Sequence, residues 1–191
     1  AWNSELIDQR HPQWPRLFVD LVVTPLVERG FQGLFLDNMD AYLAGTTTDA
    51  ERQAQMEGMV QALSALAARH PKLRLIANRG FEILPRTRQW LSAVAAESLF
   101  GRWNATARAY EPVPDEDRQW LLAQFARVRE MGLTPIAIDY GDPRDRAAMR
   151  AIARRIQDQG IVPWVTDGAV SMVGIGALEV MPRRVLVVHD G

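Results

Sequence analysis

The chain contains no cysteine among its 191 residues. This absence excludes a disulfide framework, a thiolate nucleophile and a cysteine-ligated metal. The chain also lacks a charge excess: its formal net charge is -1, so bulk electrostatics gives no reason to expect nucleic acid or an anionic membrane as a partner. No uninterrupted apolar stretch reaches membrane-spanning length, and no membrane insertion is expected.

Cofactor and metal signals are also missing. His11, His70 and His189 have no paired metal spacing. The chain has no G-K-[ST] phosphate loop and no G-x-S-x-G elbow. The nearest match to a dinucleotide-binding pattern lacks its third glycine and lies near the C-terminus. We therefore expect neither a cofactor nor a metal.

What the chain does contain is an alternation of strand and helix patterns. Strand signals lie near residues 34, 75, 95, 137 and 163, separated by helices or by segments long enough to hold one. Such alternation predicts right-handed crossovers and a parallel sheet, and so an α/β fold. An open doubly wound sheet and part of a closed barrel both fit this pattern.

Two of the predicted helices have clear sequence signals. A helix over residues 11–29 is expected to bend or shorten at Pro25 and to end at Gly30. The next helix begins with a capping box formed by Thr48 and Glu51.

Polar side chains follow the carboxyl ends of all five predicted strands. In parallel barrels the reacting groups sit at that rim, where residues far apart in sequence converge. A repeated pattern of this kind, with several acids, indicates a site. The residues are Asp37, Asn78, Glu97, Asp139 with Tyr140, and Thr166 with Asp167.

Cleavage of a glycosidic bond suits this pattern, because it needs two carboxyl groups flanking the bond. Asp37 and Glu97 are the candidate pair. Trp103 is the candidate for stacking on a sugar ring. Four further candidates have a local alternative: Asp40 as a cap, Asn78 as a turn residue, and Asp139 with Tyr140 as a solvated loop pair. The expected substrate-binding residues are Asp40, Asn78, Trp103, Asp139, Tyr140 and Asp167.

The motifs, taken in order, resemble those of glycoside hydrolase family 114/166. They read "GFQGLFLDNMDAY", "LRLIANRGFEIL", "AAESLF", "PIAIDY" and "VPWVTD". This group includes endo-α-1,4-polygalactosaminidases and the hydrolase domain of the Pel exopolysaccharide protein. The opening "WNSELIDQRHPQW" and the tail "PRRVLVVHDG" are also similar, so the resemblance spans nearly the whole chain.

The resemblance implies a (β/α)₈ barrel of the TIM type that cleaves α-1,4-linked galactosamine or N-acetylgalactosamine polymers. Asp37 and Glu97 match the essential acids of the family motifs. By analogy with barrel α-galactosidases, Asp37 is expected to be the nucleophile and Glu97 the acid/base. The resemblance also implies a periplasmic or secreted protein with further domains in a longer polypeptide.

The chain supplies five of the eight barrel strands, so the first three βα units are expected to be missing. The predicted domains are residues 1–182 as the C-terminal five-eighths of the barrel, and 183–191 as a terminal strand or junction. Two other functions remain open. One is a barrel that binds polysaccharide without cutting it. The other is a metal-dependent hydrolase using Asp37, Asp40 and Asp139, against which the lack of strand-end histidines argues.

Overall fold

The structure, a computed structural model, describes residues 7–176. Within this range the chain divides into two compact units. The first holds the residues up to Ala95 together with Arg127–Thr134, and the second holds Ala96–Ala126 with the residues from Pro135 onward. The predicted domain boundary at residue 182 lies outside the described residues.

The first unit contains the parallel strands β1 (Gly33–Leu36), β2 (Arg74–Asn78) and the start of β3 (Ala93–Glu97). Strand β3 carries buried apolar side chains at four of its five positions, and β2 buries Leu75 and Ala77. Such strands are typical of parallel sheets that are covered on both faces. The carboxyl ends of β1 and β2 lie side by side, with Leu36 opposite Ala77.

A hairpin that the sequence did not predict follows β3 in the second unit. It consists of the antiparallel strands β4 (Gly101–Asn104) and β5 (Ala109–Pro112). Arg102 and Asn104 both donate hydrogen bonds to the Glu111 carboxylate, at 2.9 Å each. Because one face of the hairpin is held by these polar contacts, it lacks the apolar alternation that indicates a strand.

The second unit also holds the parallel pair β6 (Thr134–Tyr140) and β7 (Val162–Thr166). The backbone N–H of Ser98, directly after β3, donates to the carbonyl oxygen of Ile138 in β6 at 2.9 Å. A two-residue strand β8 (Ile175–Gly176) pairs antiparallel with β7. The five predicted strands and the α/β fold with a mostly parallel sheet are therefore confirmed.

The predicted helix is present over residues 14–28, is irregular next to Pro25 as expected, and is followed by Gly30 at φ 95°. A π-helical turn interrupts it, in which the N–H of Thr24 donates to the carbonyl of Val19, five residues back. Pro25 follows directly; it has no N–H, and its ring would crowd the carbonyl four residues earlier in a regular helix. The segments are α1 (Trp14–Leu17), the π-helical turn (Phe18–Val23) and α2 (Thr24–Glu28).

Helix α3 (Asp49–Arg69) begins with the predicted capping box, and this prediction is confirmed. The Thr48 hydroxyl accepts from the Glu51 N–H at 3.2 Å, and Glu51 accepts from the Thr48 N–H at 3.1 Å. Its buried face packs into the core of the first unit. The other helices are α4 (Leu84–Thr87), α5 (Asp115–Glu130) and α6 (Arg146–Gln157), with 3₁₀ turns at Ala41–Leu43 and Arg88–Trp90.

Replacing Thr48 by Ala removes the side-chain acceptor of this capping box. We expect a loss of about 1 kcal/mol in the free energy of unfolding, which is typical for a lost N-cap. Urea denaturation followed by circular dichroism measures it. Thr106→Ala, at the exposed hairpin tip, is the control. An equal effect of the two substitutions would contradict the assignment.

Candidate active site

The first unit presents Asp37 directly after the last residue of β1. The side chain is exposed, and its Oδ1 accepts hydrogen bonds from the N–H of Asn38 at 2.9 Å and from Nδ2 of Asn78 at 2.7 Å. Asn78 ends the neighbouring strand β2 and is 3% exposed. Because a hydrogen bond to a carboxylate is charge-assisted, the side chain of Asn78 orients the carboxyl group of Asp37. The structure thus brings two predicted site residues into contact.

Left-handed residues turn the chain at both of these strand ends. Asn38 has φ 51° and Arg79 has φ 61°, a region that residues other than glycine seldom occupy. The turn after β1 is tied to β2, since the N–H of Met39 donates to the carbonyl oxygen of Asn78 at 3.1 Å. Strained backbone of this kind clusters at functional sites, and no signal in the sequence revealed it.

Asp40, three residues after Asp37 in the chain, forms an ion pair with Arg79 at 4.0 Å. It precedes a 3₁₀ turn but makes no side-chain capping hydrogen bond. On the same turn, the buried Tyr42 donates its hydroxyl to Oε2 of Glu82 at 2.9 Å. Burial, reinforced by this carboxylate, raises the pKa of Tyr42. Neither residue was among the predicted site residues, because forty positions separate them and no local pattern links them.

The second unit presents Glu97 as the last residue of β3. It is partly exposed, and its Oε2 accepts a hydrogen bond of 2.8 Å from the hydroxyl of Tyr140, the last residue of β6. Ser98, which follows Glu97, has φ 65°. The structure therefore joins two more predicted site residues, and a left-handed residue again turns the chain after the acid.

Both predictions for Asp139, contact with substrate and a solvated position in a loop, disagree with the structure. It is fully buried, at 0% exposure, and its carboxylate accepts hydrogen bonds from three successive backbone N–H groups. These belong to Leu99 at 2.8 Å and to Phe100 and Gly101 at 2.7 Å each. Burial raises the pKa of Asp139, while the three amides act in the opposite direction. Its oxygens are engaged by the backbone rather than open to a sugar.

Trp103 of β4 is partly buried, and it packs against Tyr110 of β5 and against the loop after β7. Its ring centroid lies 4.7 Å from that of Tyr110. A Cβ added at Gly168 would lie 2.6 Å from Cγ of Trp103, so the indole packs against the backbone there. The N–H of Gly168 also donates to the Tyr110 hydroxyl at 3.1 Å. The contact with Gly168 covers part of the surface expected to stack on a sugar.

Asp167 organises its own loop. Its carboxylate accepts hydrogen bonds from the backbone N–H of Ser171 at 2.7 Å and from the Ser171 hydroxyl at 2.6 Å. These bonds hold the pKa of Asp167 below its usual value. The side chain remains partly exposed. Its contact with substrate stays a prediction.

The surface of the first unit carries several depressions, two of which adjoin β1. A groove of about 480 Å³ runs beside β1, is lined mainly by apolar side chains, and reaches Asp37 and Asn38. A larger one, of about 1060 Å³, lies at the amino ends of β1 and β2 and is lined in part by Lys72 and Arg74. Of the two, the groove is the one that reaches a predicted site residue, Asp37, at the carboxyl end of β1, where reacting groups in parallel barrels sit.

The described range, residues 7–176, contains no group of three His, Cys, Asp or Glu residues arranged to hold a metal ion. None of the helices in the same range combines the length and the apolar character needed to cross a membrane.

Comparison with known proteins identifies the chain as a glycoside hydrolase. The model of glycoside-hydrolase family GH114 matches residues 1–185, and the chain belongs to this family. The family resemblance predicted from the sequence is therefore confirmed. No match was found among curated protein sequences.

The chain is also similar to solved structures of the glycoside hydrolase domain of PelA from Pseudomonas aeruginosa. One is 36% identical to the chain, with a TM-score of 0.83, and the match covers 92% of this chain and 68% of that one. The second is a variant of the same domain in which a glutamate is replaced by alanine. It is 35% identical, with a TM-score of 0.82 and the same coverage.

The contact between Tyr42 and Glu82 can be tested by a double-mutant cycle with Tyr42→Phe and Glu82→Gln. Tyr42→Phe should cost about 1 kcal/mol of stability, because it removes a hydrogen bond made from a buried position. The two changes should be less than additive when unfolding is followed by urea titration. Fully additive losses would mean that the hydrogen bond contributes nothing.

Proposed function

We propose that the chain is an endo-acting glycoside hydrolase that cleaves α-1,4-linked galactosamine and N-acetylgalactosamine exopolysaccharide of the Pel type. Asp37 and Glu97 are its two essential carboxylates. Membership in GH114 and the likeness to the PelA hydrolase domain support this proposal. The family motifs around the two acids indicate the substrate class.

The observation that carries the proposal is the hydrogen bonding of the two acids. Each is held by a neutral donor at the end of another strand: Asp37 by Nδ2 of Asn78 at 2.7 Å, and Glu97 by the hydroxyl of Tyr140 at 2.8 Å. Neutral donors orient a carboxylate without neutralising its charge. A nucleophile and an acid/base both need such orientation.

The proposed reaction has two steps that exchange the roles of acid and base. In the first, an oxygen of Asp37 forms a bond to the anomeric carbon, the glycosidic C–O bond breaks, and Glu97 gives its proton to the leaving oxygen. In the second, Glu97 takes a proton from water. The resulting hydroxide attacks the anomeric carbon and releases the Asp37 carboxylate. Asn78 and Tyr140 keep the two carboxyl groups in position.

The charge near Asp37 suits a cationic polymer. Asp40 and Glu82 add carboxylates near the same strand ends, and Arg79 offsets part of their charge. A partly de-N-acetylated galactosamine chain carries ammonium groups, which such carboxylates attract. We therefore expect cleavage to weaken as salt concentration rises.

The proposed enzyme is a (β/α)₈ barrel to which this chain contributes five parallel strands. Support comes from the exposed apolar surface beside β1, where Val22 and Phe35, which line the same groove, are each 49% exposed. Closing a barrel removes the edges of the sheet and buries such surfaces. The matched PelA domain is longer than this chain, and the match covers 68% of it.

We also propose a periplasmic or secreted location for the protein and further domains in the same polypeptide.

Replacing Glu97 by Gln should lower kcat on the polymer by roughly 10²–10⁴-fold, since an amide cannot donate and recover the proton. Release of reducing ends from Pel-type polymer measures the rate. Glu130→Gln, an exposed change of the same chemistry at the end of α5, should leave the rate unchanged. Near-normal turnover by the Glu97 variant would remove Glu97 from the mechanism.

The nucleophilic role of Asp37 predicts that the anomeric configuration is retained. Proton NMR of the earliest products should show α-anomeric ends before mutarotation. A crystal structure should then find the Asp37 and Glu97 carboxyl groups roughly 5–5.5 Å apart. β-Anomeric products, with a separation of about 6.5–9.5 Å, would instead make Asp37 a general base.

A further inference from the structure

Three consecutive residues of β6 hold the five residues that begin with Glu97. The carbonyl oxygen of Ile138 accepts the N–H of Ser98 at 2.9 Å. The carboxylate of Asp139 accepts the next three N–H groups, and the hydroxyl of Tyr140 donates to the Glu97 side chain at 2.8 Å. Every backbone N–H from residue 98 to residue 101 therefore ends on β6.

Asp139 makes the largest contribution to this arrangement. A carboxylate with no solvent exposure is costly unless donors replace the lost water. Here three charge-assisted bonds of 2.7–2.8 Å supply the donors. A turn without Asp139 would leave three buried N–H groups without this acceptor, so the carboxylate and the path of the turn depend on each other.

The position of this turn connects it to the chemistry. Ser98, at φ 65°, lies between Glu97 and the three amides, and this backbone conformation persists only where its surroundings enforce it. Arg155 adds support from α6, with its guanidinium 4.2 Å from the ring centroid of Phe100. Movement of the turn would shift the backbone of Glu97 and stretch its hydrogen bond to Tyr140.

We propose that Asp139 is a positioning residue that acts on Glu97 through the turn formed by residues 98–101. This proposal rests on the catalytic role of Glu97 proposed above. Asp139 itself does not touch the sugar. It fixes the backbone on which the Glu97 carboxyl group is carried, while Tyr140, the next residue of the strand, fixes that carboxyl group directly.

Asp139→Asn tests the proposal, because it keeps the shape of the side chain and replaces one acceptor oxygen by a donor. We expect kcat on the polymer to fall by about 10²-fold, the usual cost of misplacing a reacting group by about 1 Å. KM should stay within about threefold. Asp142→Asn, in the loop just after β6, removes a carboxylate that binds Arg144 and should change neither constant.

The split between kcat and KM separates positioning from stability alone. If Asp139 only stabilises the fold, Asp139→Asn will lower the melting temperature and leave kcat unchanged below it, which would overturn the proposal. If the variant does not fold, hydrogen exchange on the unaltered protein decides. The N–H groups of Leu99, Phe100 and Gly101 should then exchange at least 10²-fold more slowly than those of the hairpin tip at residues 105–108. Fast exchange at these three amides would contradict their hydrogen bonding to Asp139 and so overturn the proposal.

A crystal structure of Asp139→Asn distinguishes failure of this proposal from failure of the proposed function. We expect the Glu97 carboxyl group to move away from the Tyr140 hydroxyl, beyond hydrogen-bond distance, whether or not the protein cleaves the polymer. An unmoved Glu97 would overturn the positioning role even in an active enzyme. An unaltered protein that does not cleave the polymer, together with a moved Glu97 in the variant, would overturn only the proposed function.

Discussion

The carboxylate of Asp139 carries the main constraint on the second unit, because one buried group determines the path of the chain after β3. Its three backbone bonds replace water around a charge and also fix the turn that follows Glu97. The hairpin begins at Gly101, the last residue that Asp139 binds, so its starting point depends on the same interaction. The acid/base candidate and the hairpin thus share one anchor.

Strands β1, β2 and β3 end in the same kind of backbone turn. The acid or amide at each strand end is followed by a residue other than glycine in the left-handed region, namely Asn38, Arg79 or Ser98. This conformation turns the chain sharply and leaves the preceding polar side chain at the strand end. The cost in backbone strain is on the order of 1–3 kcal/mol at each position. Packing and the cross-strand hydrogen bonds offset it.

The sequence predicted which residues end the strands better than it predicted what their side chains do. Asp37, Asn78 and Glu97 follow short apolar runs. Such runs indicate a buried strand even where apolar and polar residues do not alternate. The burial of Asp139 was not readable, because β6 is buried at consecutive positions and lacks the alternation that would have indicated its inward face. The bonds from Asn78 to Asp37 and from Tyr140 to Glu97 join residues more than 40 positions apart, which no local pattern encodes.

The close approach of Gly168 to Trp103 has a consequence for divergence among related chains. Any side chain at position 168 would overlap the indole, with its Cβ only 2.6 Å from Cγ. The loop after β7 and the hairpin can therefore change only in concert: a larger residue at one position demands a smaller one at the other. The two positions should covary as a pair, whereas the solvent-exposed residues 105–108 of the hairpin can change independently of them.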